Sequence, residues 1–349
     1  MKRRLALLTL LFSACTSAGN PNSTPVADAP TLEAIAPTSD EELASEMPTD
    51  EPVTLESGTV RIAESDGMEM IYIEAGEFTM GSEDDDAKQT PTGVGGVAWP
   101  EGPEHLVWVN SFWIDKYEVT NAQYALCVNK GACDPPRMLD GAQALLAVEP
   151  FIGRDYYTNP EYADYPVVYV DFYAARDYCA WAGRRMPTEA EWEKAARGTD
   201  GRRYAWGDDP VANEKANFCD GNCPKEVANP SYDDGYMVTA PVGSYPAGAS
   251  PFGALDMAGN VWEWVDTIPM FYPYDPNDGR EEPDTRIGSC YPPAPCAEGE
   301  TPFGDGPERV IRGGTWQNGP WWLRATVRYK LVPGYAHWST GFRCAADAE

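Results

Sequence analysis

Histidine is almost missing from this chain: its 349 residues contain two, His105 and His337. A metal centre built on imidazole has little to draw on, because a facial triad needs two histidines and a carboxylate that meet in space. Basic residues are scarce as well, 26 Lys and Arg against 55 Asp and Glu, for a formal net charge of −29. Nucleic acids and anionic lipid surfaces are bound through basic patches, so this balance argues against both as partners. It suits solubility outside the cell and oxygen-ligand sites for calcium. No Gly-x-Ser-x-Gly elbow for a serine nucleophile occurs.

One apolar run stands out, Leu5 to Phe12, preceded by Lys2, Arg3 and Arg4 and followed by Ser13-Ala14-Cys15. As a helix it would span only ~12 Å, against a bilayer core of ~30 Å. It reads as a secretory signal peptide over residues 1–15 that targets the chain without anchoring it. Small residues before Cys15 resemble a bacterial lipobox, with Phe12 where Leu is usual, so Cys15 is expected to carry lipid. The alternative is an ordinary signal peptide with a cysteine near its cleavage point. Thr16 after Cys15, in place of Asp, favours the outer membrane. Residues 16–57 are rich in Pro, Thr, Ser, Ala, Glu and Asp; such a stretch buries too little to offset its ordering entropy and reads as a disordered acidic tether.

Nine cysteines are present, and in an exported chain they invite a count of disulfides. Removing Cys15 leaves eight. Proximity suggests Cys127 with Cys133, Cys219 with Cys223, and Cys290 with Cys296, which leaves Cys179 and Cys344 for each other; spacing alone does not prove connectivity. Met70 to Ser82 has two strand-like runs around a Gly-bearing turn and reads as a hairpin, and Val107 to Ile114 continues the strand pattern. Capping signals predict three helices: from Thr120, boxed with Gln123, to Gly131; from Asp171 to Gly183; and from Thr188, boxed with Glu191, to Gly198.

Five blocks occur in order: Ile71 to Ser82; Phe112-Trp113-Ile114-Asp115-Lys116-Tyr117-Glu118-Val119-Thr120-Asn121; Tyr165 to Glu193, containing Gly183-Arg184-Arg185-Met186-Pro187-Thr188-Glu189; Gly253 to Trp264, containing Met257-Ala258-Gly259-Asn260-Val261-Trp262-Glu263; and Arg309 to Trp316, with Gly341-Phe342-Arg343-Cys344-Ala345 near the end. Together they resemble the formylglycine-generating enzyme, or sulfatase-modifying factor, family over residues 66–349. The resemblance implies an α+β, C-type-lectin-like domain with little regular secondary structure, stabilised by calcium and by a disulfide at the positions of Cys179 and Cys344.

Two calcium sites are implied by the same resemblance. One matches the side chains of Asn217 and Asp234 with the carbonyls of Phe218 and Tyr236. The other matches Asp256, where the family usually has Asn, with the carbonyls of Gly259 and Val261 and with Glu263. The plainer alternative is that the acids are turn residues and solvated charges. The family's catalytic pair is two cysteines, five residues apart, that bind copper(I), a soft ion suited to thiolates. The matching positions here hold Asn318 and Leu323, so no copper is expected and no catalytic residue is assigned. Trp316, Trp321, Trp322, Arg324, Arg328, His337 and Trp338 fall in the segment that lines the family's substrate cleft. Aromatic rings with a few arginines can take a peptide or stack on a sugar, although any one tryptophan is as readily a core residue.

These observations lead to a monomeric, calcium-bound, non-catalytic binding or scaffolding module on the cell envelope. The alternative is a divergent oxidoreductase, with non-heme iron or other chemistry, acting on an exported peptide or small molecule.

Overall fold

The computed structural model describes residues 55–83, 99–137, 152–153, 155–224, 228–281, 289–290, 301–302 and 307–348. All of these belong to the compact unit that begins at Val53. Cys15, the tether as far as residue 54 and Cys296 lie outside them, and with Cys296 the expected Cys290–Cys296 bridge; residues 55–57, expected in the tether, belong to the folded unit, with Leu55 against the core and Ser57 Oγ accepting from Glu74 N at 2.9 Å.

Five strands come first: β1 (Val60–Ile62), β2 (Glu69–Ile73), β3 (Gly76–Met80), β4 (His105–Val109) and β5 (Phe112–Asp115). Three helices follow, α1 (Asn121–Asn129), α2 (Phe172–Trp181) and α3 (Glu189–Arg197). The rest is short strands set in long loops: β6 (Trp262–Trp264), β7 (Ser289–Cys290), β8 (Thr301–Pro302), β9 (Arg309–Arg312), β10 (Arg328–Leu331), β11 (Thr340–Phe342) and β12 (Ala345–Asp347). One sheet runs β1-β2-β5-β12, a second β10-β9-β6-β11, and two ribbons pair β3 with β4 and β7 with β8. The last strand thus pairs with β5, and Cys344 N donates to Asp115 Oδ2 at 2.8 Å. The chain's end closes the first sheet.

The capping signals hold. Thr120 and Gln123 form a reciprocal box on α1, Asp171 accepts from Ala174 N at the start of α2, and Thr188 and Glu191 box α3. The hairpin expected at Met70–Ser82 does not form. β2 pairs with β1 and β5 while β3 pairs with β4, so the turn between them is a crossing from one sheet to another. Likewise Asn110-Ser111 breaks the run expected from Val107 to Ile114 into β4 and β5, which lie in different sheets. Regular alternation reports burial of a face and not the identity of the neighbouring strand. β1 also lies ahead of residue 66, where the domain was expected to start; its three residues are exposed, so no apolar pattern announces it.

All nine residues of α3 are buried. Its charges are held by paired partners: Glu189 accepts from Arg328 and Arg312, and Glu193 accepts from Arg312 and Arg197. Burying so many charges is tolerable only because each carboxylate is matched. The bridges Cys127–Cys133, Cys179–Cys344 and Cys219–Cys223 are formed, and Cys179–Cys344 ties α2 to the segment between β11 and β12.

Candidate functional site

Two loops, 216–236 and 256–261, lie back to back beside β6. Asn260 N donates to Asn217 O at 2.9 Å. Gly259 (φ +84°) sits so close that a Cβ there would come within 2.1 Å of Asn217 O; only glycine satisfies both the backbone angle and the approach.

In the first loop the Asn217 amide is oriented by its own donors. Nδ2 donates to Val238 O at 2.8 Å and to Asn260 Oδ1 at 3.1 Å. Its Oδ1 is buried with no donor, the condition a cation would relieve. Asp234 closes the same loop, accepting from Phe218 N at 2.8 Å and from Tyr236 N at 3.0 Å. Burial pushes the Asp234 carboxyl up to about 7. Four residues expected as ligands, Asn217, Phe218, Asp234 and Tyr236, are therefore assembled in one place, and the orphaned amide oxygen fits a hard ion.

The second expected set is less simple. Asp256 accepts from Gly243 N at 2.6 Å, and Glu263, with its carboxylate fully buried, is held by Arg343 and by Trp192 Nε1. Glu118, which sequence reasoning did not single out, is also fully buried, and neither of its oxygens has a hydrogen-bond donor. Burial first, then the Asp256 and Glu263 carboxylates, push the Glu118 carboxyl well above the usual range. No periodicity marks this residue; it lies on the short link between β5 and the cap of α1. Among the described residues, no three His, Cys, Asp or Glu side chains are grouped so as to hold a metal ion. A cation here would need carbonyl and amide oxygens too.

The positions that match the family's copper ligands are built differently. Leu323 is fully buried in an apolar cluster with Tyr204, Val211, Ala216, Phe218 and Ala258. Asn318 Oδ1 accepts from Thr315 N at 3.1 Å, and its carbonyl accepts from Cys219 N at 2.9 Å. One position is core and the other stabilises a turn.

The residues expected to line a cleft divide. Arg324, 1% exposed, forms a two-point pair with Glu101 at 2.7 and 2.9 Å. Arg328 forms another with Glu189 at 2.6 and 2.7 Å. Both are interior, each paired with a buried carboxylate; they do not line a surface. Trp316 and Trp338 pack with Tyr169 and Val261, and Trp322 is also buried. Trp321 and Trp322 share a single turn of 3-10 helix, so neither alternates as in a strand; Trp321 is half-buried, with the Arg324 guanidinium 4.2 Å from its ring. His337 stacks on Trp338 at 3.9 Å and its Nδ1 lies 2.8 Å from Ser339 Oγ. His105 has both ring nitrogens engaged, Nδ1 with Pro103 O and Nε2 with Tyr274 N.

Among the described residues, three helices, two small sheets, long loops and three bridges around paired oxygen-rich turns define an α+β protein of the formylglycine-generating-enzyme kind. The sulfatase-modifying factor enzyme 1-like domain matches residues 56–348, and the chain belongs to that family. It is 34% identical to the formylglycine-generating enzyme of Streptomyces coelicolor over 312 residues, covering 80% of this chain and 89% of that enzyme. It is 34% identical to hercynine oxygenase of Mycolicibacterium smegmatis over 263 residues, 71% of this chain and 55% of the oxygenase. A serine/threonine-protein kinase of Chlamydia trachomatis, Pkn1, is 33% identical over 285 residues, 80% of this chain but 38% of the kinase. This chain therefore spans well under two thirds of several curated relatives. Among solved structures, PvdO from Pseudomonas aeruginosa superposes with a TM-score of 0.58 at 27% identity, over 84% of this chain and all of PvdO.

Proposed function

We propose that this chain is a calcium-stabilised binding module of the cell envelope, held by lipid on Cys15, that carries out no copper chemistry. The observation that supports it is the fate of the copper positions: Leu323 is core and the Asn318 side chain is committed to a turn. Neither offers a thiolate, and no side-chain rotation would supply one. Calcium is favoured by the donorless oxygen of Asn217 beside Asp234. The ligand is a peptide or glycan, met by the half-buried side chains of Trp321 and His337, the latter backed by Trp338. Similarity to hercynine oxygenase motivates iron-dependent oxidation as the alternative, but the engaged nitrogens of His105 speak against it. The test is a copper(I) titration of the full chain, followed by incubation with a Cys-x-Pro-x-Arg peptide. Weak copper uptake and an unmodified peptide are expected. Tight binding with conversion of the peptide cysteine would overturn the proposal.

A further inference from the structure

We infer that the outer edge of β4 is a docking site for an extended, positively charged segment of another protein, which joins β3 and β4 as a third strand. β4 has one strand neighbour, β3. Among the described residues, no backbone group of β4 bonds to any other element. β3, by contrast, is engaged from α3, where Lys194 donates to Gly76 O and Arg197 to Thr79 O. Soluble proteins blunt an open edge with charge, proline or a bulge. β4 has no proline and no lysine or arginine, and its pairing with β3 runs through all five residues without a bulge. Val107 and Val109 point into the core, so the alternation puts Leu106 and Trp108 side by side on the outer face, 68% and 61% exposed. The Trp108 ring is held there, its Nε1 donating to Asn110 Oδ1 at 3.2 Å. A ring already fixed loses less freedom when a partner covers it.

Charge selects the occupant. On the same face Glu77 stands opposite Trp108 and Thr79 opposite Leu106, and Glu104 comes two residues before Leu106. Glu77 and Glu104 are exposed, and among the described residues neither is in an ion pair. A second copy of this chain, at −29, would set the same acids against them. The neighbouring stretch Glu83-Asp84-Asp85-Asp86 and residues 16–57 are acidic as well, so they offer no complement. A strand with Lys or Arg on the Leu106 and Trp108 face does. Its methylene stems cover the two apolar side chains, a cation over the Trp108 ring is attracted by it, and the charged ends reach Glu77 and Glu104. In such an added strand the main chain supplies affinity and the alternate side chains supply selectivity.

The probe is a dye-labelled short peptide of alternating Lys and Val, titrated against the full chain by fluorescence anisotropy, a readout independent of the calcium and copper readings. It should bind a monomeric chain, and more weakly as salt is added. The same peptide N-methylated at every residue, which cannot pair as a strand, should not bind, nor should a peptide of alternating Glu and Val. Leu106→Ser combined with Trp108→Ser alters exposed positions, so the melting curve should stay in place while affinity falls about tenfold or more. Glu77→Gln with Glu104→Gln should flatten the salt dependence. Three results would overturn the inference: no binding of the Lys-Val peptide, equal binding of its N-methylated form, or wild-type affinity in the double serine variant. Self-association of the wild type that the double serine variant abolishes would also overturn it, because the edge would then be filled by a second copy.

Discussion

A cysteine at position 323 would have to replace a leucine that fills an apolar cluster from one side. Removing most of that side chain leaves a cavity, and Leu323→Ala should cost about 2–5 kcal/mol in urea-induced unfolding. A cost below about 1 kcal/mol would mean the site is loosely packed and able to admit other side chains. Asp115 makes a second residue-scale prediction. It is fully buried, and burial outweighs the neighbouring Arg184 guanidinium, so its carboxyl is pushed up to about 6. The unfolded value is about 4. Between those two the folded chain holds the extra proton, and stability falls as pH rises from about 4 to 6 and then levels off. Asp115→Asn should flatten this part of the stability profile, measured by denaturant unfolding at several pH values. A slope unchanged by the substitution would assign it to other groups.

Among the elements, the Cys179–Cys344 bridge closes 165 residues, whereas Cys127–Cys133 closes six. Loop-closure entropy gives about 5 kcal/mol for the first and about 2 for the second. Replacing Cys179 and Cys344 together by alanine should therefore lower the denaturation midpoint much more than the Cys127 and Cys133 pair. Equal losses would show that the long bridge constrains an already compact unfolded chain. The elements also show how far the sequence could be read. Helices were legible because a cap is a local event: Thr120, Asp171 and Thr188 each satisfy the amide three residues on. Strand partners were not, since β2 and β3 read like a hairpin while their partners come from β5 and β4. The first loop of oxygen ligands was legible through its motif. Glu118 was not, because the carboxylates that act on it, Asp256 and Glu263, lie more than a hundred positions further on. Arg324 and Arg328 looked like cleft residues for the same reason: their partners Glu101 and Glu189 are distant in sequence.

Over the whole molecule, the net charge of −29 decides how it can be held at a membrane. Anionic lipid repels such a body, and no described helix is long and apolar enough to cross a bilayer. The apolar run that ends at Phe12 is too short as well. In the lipid-anchored reading proposed above, attachment rests on acyl chains on Cys15, each buried methylene contributing about 0.8 kcal/mol, with two or more chains needed for a stable anchor. Such attachment is indifferent to ionic strength, whereas attachment through charge weakens as salt screens it. Cell fractionation should therefore find the wild type in the membrane pellet after a high-salt wash and in the supernatant after detergent. Cys15→Ser should appear in the soluble exported fraction or remain as an unprocessed precursor, without lipid label in either case. Release of the wild type by salt alone would refute the lipid anchor, and the acidic stretch 16–57 would then have no membrane to hold the domain away from.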